Sequence, residues 1–109
     1  MALGEVERMT RRQKLHTELL TLGARKTLFQ PPPDVLLEYP AIVYTRKSTY
    51  TQAADNKNYK ATTLYQIELI DPDPDSPLVA ALLNKFQMIT HVNNFKASNL
   101  NHDVFNLYY

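Results

Sequence analysis

The clearest pattern in this sequence lies in the stretch Tyr59-Lys-Ala-Thr-Thr-Leu-Tyr-Gln-Ile-Glu-Leu-Ile70. Its odd-numbered positions from Tyr59 to Leu69 are mostly apolar and lie on one face, and the even-numbered positions are mostly polar, with Leu64 and Ile70 as exceptions. An alternation of period two is typical of a strand with one buried and one solvated face. We therefore predict a half-buried antiparallel strand over residues 59–70, in which Ile67 is buried and Leu64 is not.

The chain before this strand divides into an apolar and a polar segment. Residues 39–45 are rich in β-branched and aromatic residues, which predicts another strand. Residues 46–58 are polar, have no periodicity and include the turn formers Asp55 and Asn56. Because so long a connection within a small domain is usually functional or mobile, we predict a long mobile loop over residues 46–58.

Three leucines at spacings of four and three indicate a helix near the N-terminus, because this spacing places them on one helical face. Thr10 and Gln13 fit a capping box, and Gly23 stands where a left-handed C-terminal cap is expected. We predict a helix over residues 10–22, with residues 1–9 either extending it or frayed. The three leucines are Leu15, Leu19 and Leu22.

A second helix is predicted after the strand at 59–70. Ser76 and Pro77 form a favoured pair for its N-cap and first position. The run Asp71-Pro-Asp-Pro-Asp75 before it has the alternate acids of a calcium loop, but Ser76 and Leu82 stand where that loop needs glycine and glutamate. Turn and capping chemistry explains these acids better. The expected apolar face of the helix is Leu78, Val79, Leu82, Leu83 and Phe86.

Three further segments complete the predicted order α-β-β-β-α-β-β. A short apolar run at residues 26–30 ends at three prolines, which we interpret as a stiff bend. Residues 87–95 and 103–109 predict two strands joined by a turn-rich linker at 96–102. The sequence thus predicts one α+β domain over residues 1–109, with a mostly antiparallel sheet of four to five strands packed with two helices.

Composition excludes several classes of protein. The chain has 109 residues, 44% of them hydrophobic and 21% charged, as in ordinary globular domains. It has no cysteine, which excludes disulfide scaffolds, zinc fingers and thiol nucleophiles. No apolar run reaches the ~18–20 residues needed to span a bilayer, and the charged N-terminal region is unlike a secretory signal. We expect a soluble protein, made in the cytoplasm, with no membrane partner.

Charge is balanced overall, at a formal net +1, but it is unevenly distributed. Residues 46–60 carry four bases against Asp55, whereas residues 34–38 and 68–75 carry acids only. Separated patches are either ordinary solvated faces or contacts through which copies pair head to tail. For the second alternative the candidate interface residues are Arg46, Lys47, Tyr50, Asn56, Lys57, Lys60, Asp71, Asp73 and Asp75.

Motifs of catalysis are weak in this sequence. It has no glycine-rich phosphate loop and no serine in a nucleophile elbow. The dipeptide His102-Asp103 occurs in some metal phosphohydrolases, but the further ligands of that helical family are missing. His16 has no ligand partner at position 20. We expect no enzyme activity and no metal site, and interpret the chain as a binding or assembly module.

Four stretches together carry a resemblance that covers about residues 11–109. They are Arg12-Gln-Lys-Leu-His16, then Phe29-Gln-Pro-Pro-Pro33 followed by Leu37-Glu-Tyr-Pro-Ala-Ile-Val-Tyr44, then Tyr65-Gln-Ile-Glu-Leu-Ile-Asp-Pro-Asp-Pro-Asp-Ser-Pro-Leu78, and Asn99-Leu-Asn-His-Asp-Val-Phe-Asn-Leu-Tyr-Tyr109. In these residues the chain resembles the small tail terminator, or tail completion, proteins of long-tailed bacteriophages and prophages. The likeness lies in the order of these four stretches and in their short runs of residues, and it includes no chemical motif.

The resemblance implies a structural virion protein at the junction of tail and head, assembled in the cytoplasm of a bacterial host. It implies an α/β subunit of a homo-oligomer, a hexameric ring, that caps the tail tube, ends its polymerisation and meets the head connector. It implies no catalytic residue and no cofactor. We expect the loop at 46–58 to face the tail tube protein or the lumen, with transient, non-specific contact to passing DNA.

Three alternatives stay open from the sequence. A head-closure protein of the phage neck is a small β-barrel, which two amphipathic helices fit less well. A small nucleic-acid-contacting module would use the basic segment 46–60 with its tyrosines. A small hydrolase would need His102, Asp103 and Asp73 clustered in one pocket.

Overall fold

Among the described residues, two helices and five strands follow one another in the order that the sequence predicts. The structure, a computed structural model, describes residues 9–53 and 59–109, with side chains at 9–49 and 62–109. The α+β class and the mostly antiparallel five-stranded sheet are confirmed. The elements are α1 (Arg11–Leu20), β1 (Lys26–Phe29), β2 (Ala41–Ala53), β3 (Tyr59–Asp71), α2 (Pro77–Lys85), β4 (Ile89–Ala97) and β5 (Leu100–Tyr108).

The strands form one sheet in the order β1-β2-β3-β5-β4. Strand β1 runs parallel to β2, and every other neighbouring pair is antiparallel. The centre of the sheet is β3, where Ile67 pairs with Tyr44 of β2 and Phe105 of β5. The predicted alternation is confirmed there, because Tyr65, Ile67 and Leu69 are buried and the residues between them are half-buried.

A single hydrophobic core joins one face of the sheet to both helices. Helix α1 contributes Leu15 and Leu19, and the α2 region contributes Leu82 and Phe86. Removing a side chain of this size from water stabilises the fold by about 1.5–3 kcal/mol. The strand residues of the core are Ile42, Tyr44, Tyr65, Ile67, Leu69, Phe105 and Leu107.

The predicted end signals of α1 are confirmed. The Thr10 hydroxyl accepts from the backbone N–H of Gln13 at 3.1 Å, and the Gln13 side chain accepts from the backbone N–H of Thr10 at 2.9 Å. This capping box satisfies two amides that have no partner within the helix. Gly23 has φ +84°, the left-handed conformation expected just beyond the helix.

Helix α2 begins as predicted, but its apolar face is only partly covered. The hydroxyl of the N-cap Ser76 accepts from the backbone N–H of Leu78 at 3.3 Å. Of the expected apolar face, Leu82 and Phe86 are buried, whereas Leu83 keeps 39% of its surface exposed. In the part of the chain that the structure describes, no helix is long and apolar enough to cross a membrane.

The prediction of a loop from residue 46 is wrong over residues 46–53, which continue β2. Arg46 pairs with Tyr65 and Ala53 pairs with Tyr59, with a bulge between Arg46 and Ser48. The composition of this segment is polar, but its backbone hydrogen bonds are satisfied by β3, a partner that sequence periodicity within the segment does not reveal. Residues 54–58 of the predicted loop lie outside the described residues.

The linker predicted at 96–102 is also wrong, because most of it is strand. Only Ser98 and Asn99 form the turn between β4 and β5, with φ of +53° and +62°. Two consecutive residues of positive φ give a tight hairpin turn whose twist matches that of the strands, and asparagine tolerates this conformation. The hairpin is therefore longer and tighter than its polar sequence indicates.

Candidate functional site

The most prominent feature is a two-stranded ribbon that extends beyond the five-stranded part of the sheet. Strand β1 pairs with β2 only as far as Tyr44, and β5 pairs with β3 only from Leu64 onward. Among the described strands, residues 47–53 of β2 therefore have β3 as their only neighbour, and residues 59–62 of β3 have β2 as theirs. We call these residues the ribbon. Because an isolated two-stranded hairpin is only marginally stable, the ribbon depends on its base or on a partner for order.

Part of the predicted basic interface lies at the base of this ribbon. The backbone N–H of Arg46 donates to Gln30 Oε1 at 3.1 Å, and its guanidinium lies 5.7 Å from the centre of the Phe29 ring. Lys47 is exposed at the bulge. These contacts hold the backbone of Arg46 while its charge and that of Lys47 face the solvent at the ribbon base.

The other predicted basic and polar residues are placed only in part. Tyr50 pairs with Thr62, and Lys60 pairs with Gln52, so both positions belong to the ribbon. The side chains of Tyr50 and Lys60 lie outside those that the structure describes. The other two predicted interface residues, Asn56 and Lys57, lie outside the described residues altogether.

The predicted acidic residues form a folded turn between β3 and α2. Asp71 Oδ1 accepts from the backbone N–H of Asp73, and Asp73 Oδ1 accepts from that of Asp75, each at 2.9 Å. Asn101 Nδ2 donates to the backbone oxygens of Asp71 and Pro72, which attaches the turn to β5. Asp71 is buried and shapes the turn, whereas Asp73 and Asp75 are exposed. We call residues 71–75 the acidic turn.

The two charged sets do not form one surface. They lie along β3, which runs from Tyr59 in the ribbon to Asp71 in the acidic turn. Arg46 pairs with Tyr65 at the middle of this strand, and Lys60 lies near its ribbon end, whereas the acidic turn begins at its other end. At about 3.4 Å per residue, the stretch from Tyr65 to Asp71 separates Arg46 from the acidic turn by roughly 20 Å.

His102 and Asp103, which are adjacent in the sequence and could serve in catalysis, are separated by the sheet. His102 Nδ1 lies 2.6 Å from Glu68 Oε2, and the His102 ring stacks on Phe95 at 4.6 Å. Asp103, on the opposite face of β5, holds Nε2 of His91 at 2.9 Å. Each imidazole thus contacts one carboxylate, and no group of three His, Asp or Glu side chains able to hold a metal ion occurs among the described residues.

A buried polar network links α1 to the sheet, and no pattern in the sequence predicted it. Tyr44 is fully buried, and its hydroxyl lies 2.6 Å from His16 Nδ1 and 3.5 Å from Arg12 Nη1. Burial, aided by the nearby Arg12 charge, lowers the pKa of His16 below its usual value. Burial likewise raises the pKa of Tyr44. Arg12 donates to the Tyr44 hydroxyl, and this hydroxyl shares a hydrogen bond with His16 Nδ1 whose direction depends on the tautomer of the imidazole.

The exposed edge position of β4 is the second feature that sequence reasoning missed, although a strand was predicted at residues 87–95. This strand lies at the edge of the sheet with almost every residue exposed, including Val92 at 52% and Phe95 at 44%, and Met88 just before it is exposed too. Apolar side chains at an uncovered edge mark a surface for contact with another chain. The only signal in the sequence was the absence of regular alternation over residues 89–97.

Comparison with known proteins adds no assignment to these surfaces. Neither a protein-family model nor a curated protein matches the sequence. The basic ribbon, the acidic turn and the β4 edge are therefore interpreted from their own chemistry and from the resemblance described above.

Proposed function

We propose that this chain is a structural virion protein of a phage or prophage, a tail terminator subunit. Copies of it form a ring, of six subunits by the resemblance, at the head-proximal end of the tail tube. The ring ends polymerisation of the tube and joins the tail to the head. The observation that carries this proposal is that the bases Arg46, Lys47 and Lys60 lie in the ribbon or at its base, away from the acidic turn that follows the other end of β3.

A subunit in a stacked assembly needs a different surface at each end. The ribbon extends past the core and gains stability from contact with a second body. Lys47 within it and Arg46 at its base favour an acidic or phosphate-bearing surface. We assign the ribbon to the side of the tail tube protein and the lumen, where passing DNA makes transient, sequence-independent contact.

The acidic turn is suited to the opposite side of the ring. Its two side chain-to-backbone hydrogen bonds hold Asp73 and Asp75 in a defined arrangement before any partner arrives. A preformed surface loses less conformational entropy on binding than a flexible one. We assign this end to contact with the head connector.

The head-closure alternative fits the observed sheet less well. A barrel pairs its first and last strands, whereas β1 and β4 are the two edges of this sheet and do not pair with each other. Both helices also cover one face of the sheet, which leaves the other face without a helical layer. The open sheet thus supports the terminator over the closed barrel.

Electron microscopy of particles assembled without this protein tests the proposal. Overlong tails detached from heads are expected if the chain ends tube polymerisation. Tails of normal length beside full heads that leak DNA would contradict the proposal and indicate the head-closure function.

A second experiment separates the assembly protein from a nucleic-acid module. Native mass spectrometry over a concentration series, with and without the tube protein, is expected to show a ring. Mobility-shift assays at increasing salt are expected to show only weak DNA binding. Tight, salt-dependent binding by a strict monomer would favour the nucleic-acid module instead.

A further inference from the structure

Two stretches of strand edge in this molecule have no partner among the described residues. One is the outer edge of β4, residues 89–97. The other is the outer edge of β2 from Lys47 to Ala53, beyond Arg46, whose backbone N–H donates to Gln30 Oε1. The two edges are similar in length and lie on opposite sides of the sheet. Unpaired strand edges of this kind favour pairing with another chain.

The directions of the two strands suit each other. Three successive antiparallel pairings separate β2 from β4, so these strands run in opposite directions within one subunit. In a ring, every subunit has the same orientation relative to the axis. Strand β4 of one copy and β2 of the next are therefore antiparallel where they meet.

We propose that neighbouring copies join by pairing the β4 edge of one subunit with the β2 edge, residues 47–53, of the next. This contact deepens the proposed function and rests on it, because it specifies how the ring is made. It is a heterologous contact, in which two different surfaces meet, as a ring requires. The sheet then continues from subunit to subunit, and Val92 and Phe95 contact the neighbour's ribbon.

Charge supports a centred register for this pairing. When Asn93 of β4 is placed opposite Thr49, near the middle of the β2 edge, Arg46 falls at the level of Lys96 and Lys47 at the level of Phe95. That level is the acidic end, because Lys96 pairs with Asn101, which in turn pairs with Asp71. The exposed Asp73 and Asp75 of one copy thus lie at the same end as the neighbour's Arg46 and Lys47. Their two negative charges outnumber the single positive charge of Lys96, which repels the neighbour's bases.

The geometry of a closed sheet accommodates this contact. Within one subunit, successive strand pairings place Asn93 of β4 at the same level as Val43 of β2. Thr49, the proposed partner of Asn93 in the next subunit, lies six positions beyond Val43 along β2, with one bulge between them. At about 3.4 Å per residue this stagger is on the order of 20 Å, and five strands at about 4.8 Å are roughly 24 Å wide. A stagger of that size over that width corresponds to a strand tilt of about 40°, within the range of ~35–45° found in closed sheets.

The chain has no cysteine, so engineered thiols test this contact directly. Differently tagged Thr49→Cys and Asn93→Cys proteins are mixed and treated with a short bis-maleimide, which bridges paired strands and tolerates a small register shift. The mixed dimer is expected to exceed by several-fold the product of Thr49→Cys with Asn84→Cys, an exposed position on α2. Equal yields, or mainly Thr49→Cys homodimers, would overturn the proposal.

A charge variant gives a second, independent readout. Val92→Lys is expected to weaken self-association at least ten-fold in analytical ultracentrifugation, while Leu20→Lys, an equally exposed apolar site on α1, is expected to have little effect. Circular dichroism checks that both variants fold. A ring that Val92→Lys leaves intact, without the specific cross-link, would overturn edge pairing but keep the proposed function. A specific cross-link in a protein whose loss leaves tails normal would do the reverse.

Discussion

The hydroxyl of Tyr44, buried in the middle of the sheet, lies 2.6 Å from Nδ1 of His16 on α1. The sheet places the ring in the core, and α1 supplies the partners that satisfy its oxygen. A buried hydroxyl without such partners destabilises a fold. This bond therefore fixes how α1 sits on the sheet.

Tyr44→Phe is expected to lower the free energy of unfolding by about 1 kcal/mol, the usual net contribution of one hydrogen bond. The half-buried His16 regains some hydration, which keeps the effect moderate. Urea denaturation measures the change, with Tyr39→Phe as the matched control because Tyr39 lies outside the core cluster. Equal effects of the two variants would contradict a specific role for the Tyr44 hydroxyl.

Stability is expected to fall as the solution is acidified below pH 6.5. The pKa of His16 is lowered in the folded protein by burial and by Arg12, so the unfolded chain binds its proton first. The contribution of His16 is complete above its unfolded pKa of about 6.5 and is lost as pH falls through the lower folded value. Urea midpoints from pH 8 to pH 5 measure this loss, and His16→Gln is expected to reduce it. A folded pKa at or above 6.5 by NMR would contradict the prediction.

Tyr109 is expected to ionise later than an ordinary tyrosine. Burial, and then the hydrogen bond and negative charge of Glu18, raise its pKa to about 12, although Arg11 opposes the shift. Stability from this group is complete below the unfolded pKa of about 10 and is lost as pH rises through 12. Ultraviolet titration of the phenolate, compared between the wild type and Tyr109→Phe, locates the transition. Glu18→Gln is expected to lower the pKa, and an unchanged value would argue against the Glu18 contribution.

The two faces of β3 are expected to respond differently to truncation. Ile67 is fully buried in the core, so Ile67→Ala is expected to cost ~2–5 kcal/mol of unfolding free energy. Leu64 is half-buried on the face without helices, and Leu64→Ala is expected to cost clearly less. Chemical denaturation of both variants provides the comparison, and equal losses would be inconsistent with the observed strand facing.

Hydrogen exchange is expected to divide the hairpin into two parts. Amides of 47–53 and 59–62 belong to a two-stranded ribbon, whereas those of 65–69 lie in the five-stranded core. Regions with fewer buried contacts open at lower free energy. Mass spectrometry of the isolated chain is expected to show faster exchange in the ribbon, and slower exchange there after ring assembly. Protection of the free ribbon equal to that of 65–69 would refute this difference.

Local patterns in the sequence were sufficient to predict the order of the helices and strands and the α+β fold class. The alternation from Tyr65 to Leu69, the capping box of Thr10 and the N-cap Ser76 are all short-range features, and each is present as predicted. They depend on hydrogen bonds and side-chain orientation within a few residues, so no distant partner is needed to recognise them.

The features that depend on contacts between residues far apart in the chain were decided only by the tertiary structure. Residues 46–53 are strand because β3 supplies their hydrogen bonds, and Tyr44 tolerates burial because α1 supplies His16. The separation of Arg46 and Lys47 from the acidic turn, and the exposure of Val92 and Phe95 on an edge strand, follow from strand order and register. Strand order is set by contacts between segments far apart in the chain, and periodicity within one segment carries no information about which neighbour it will have.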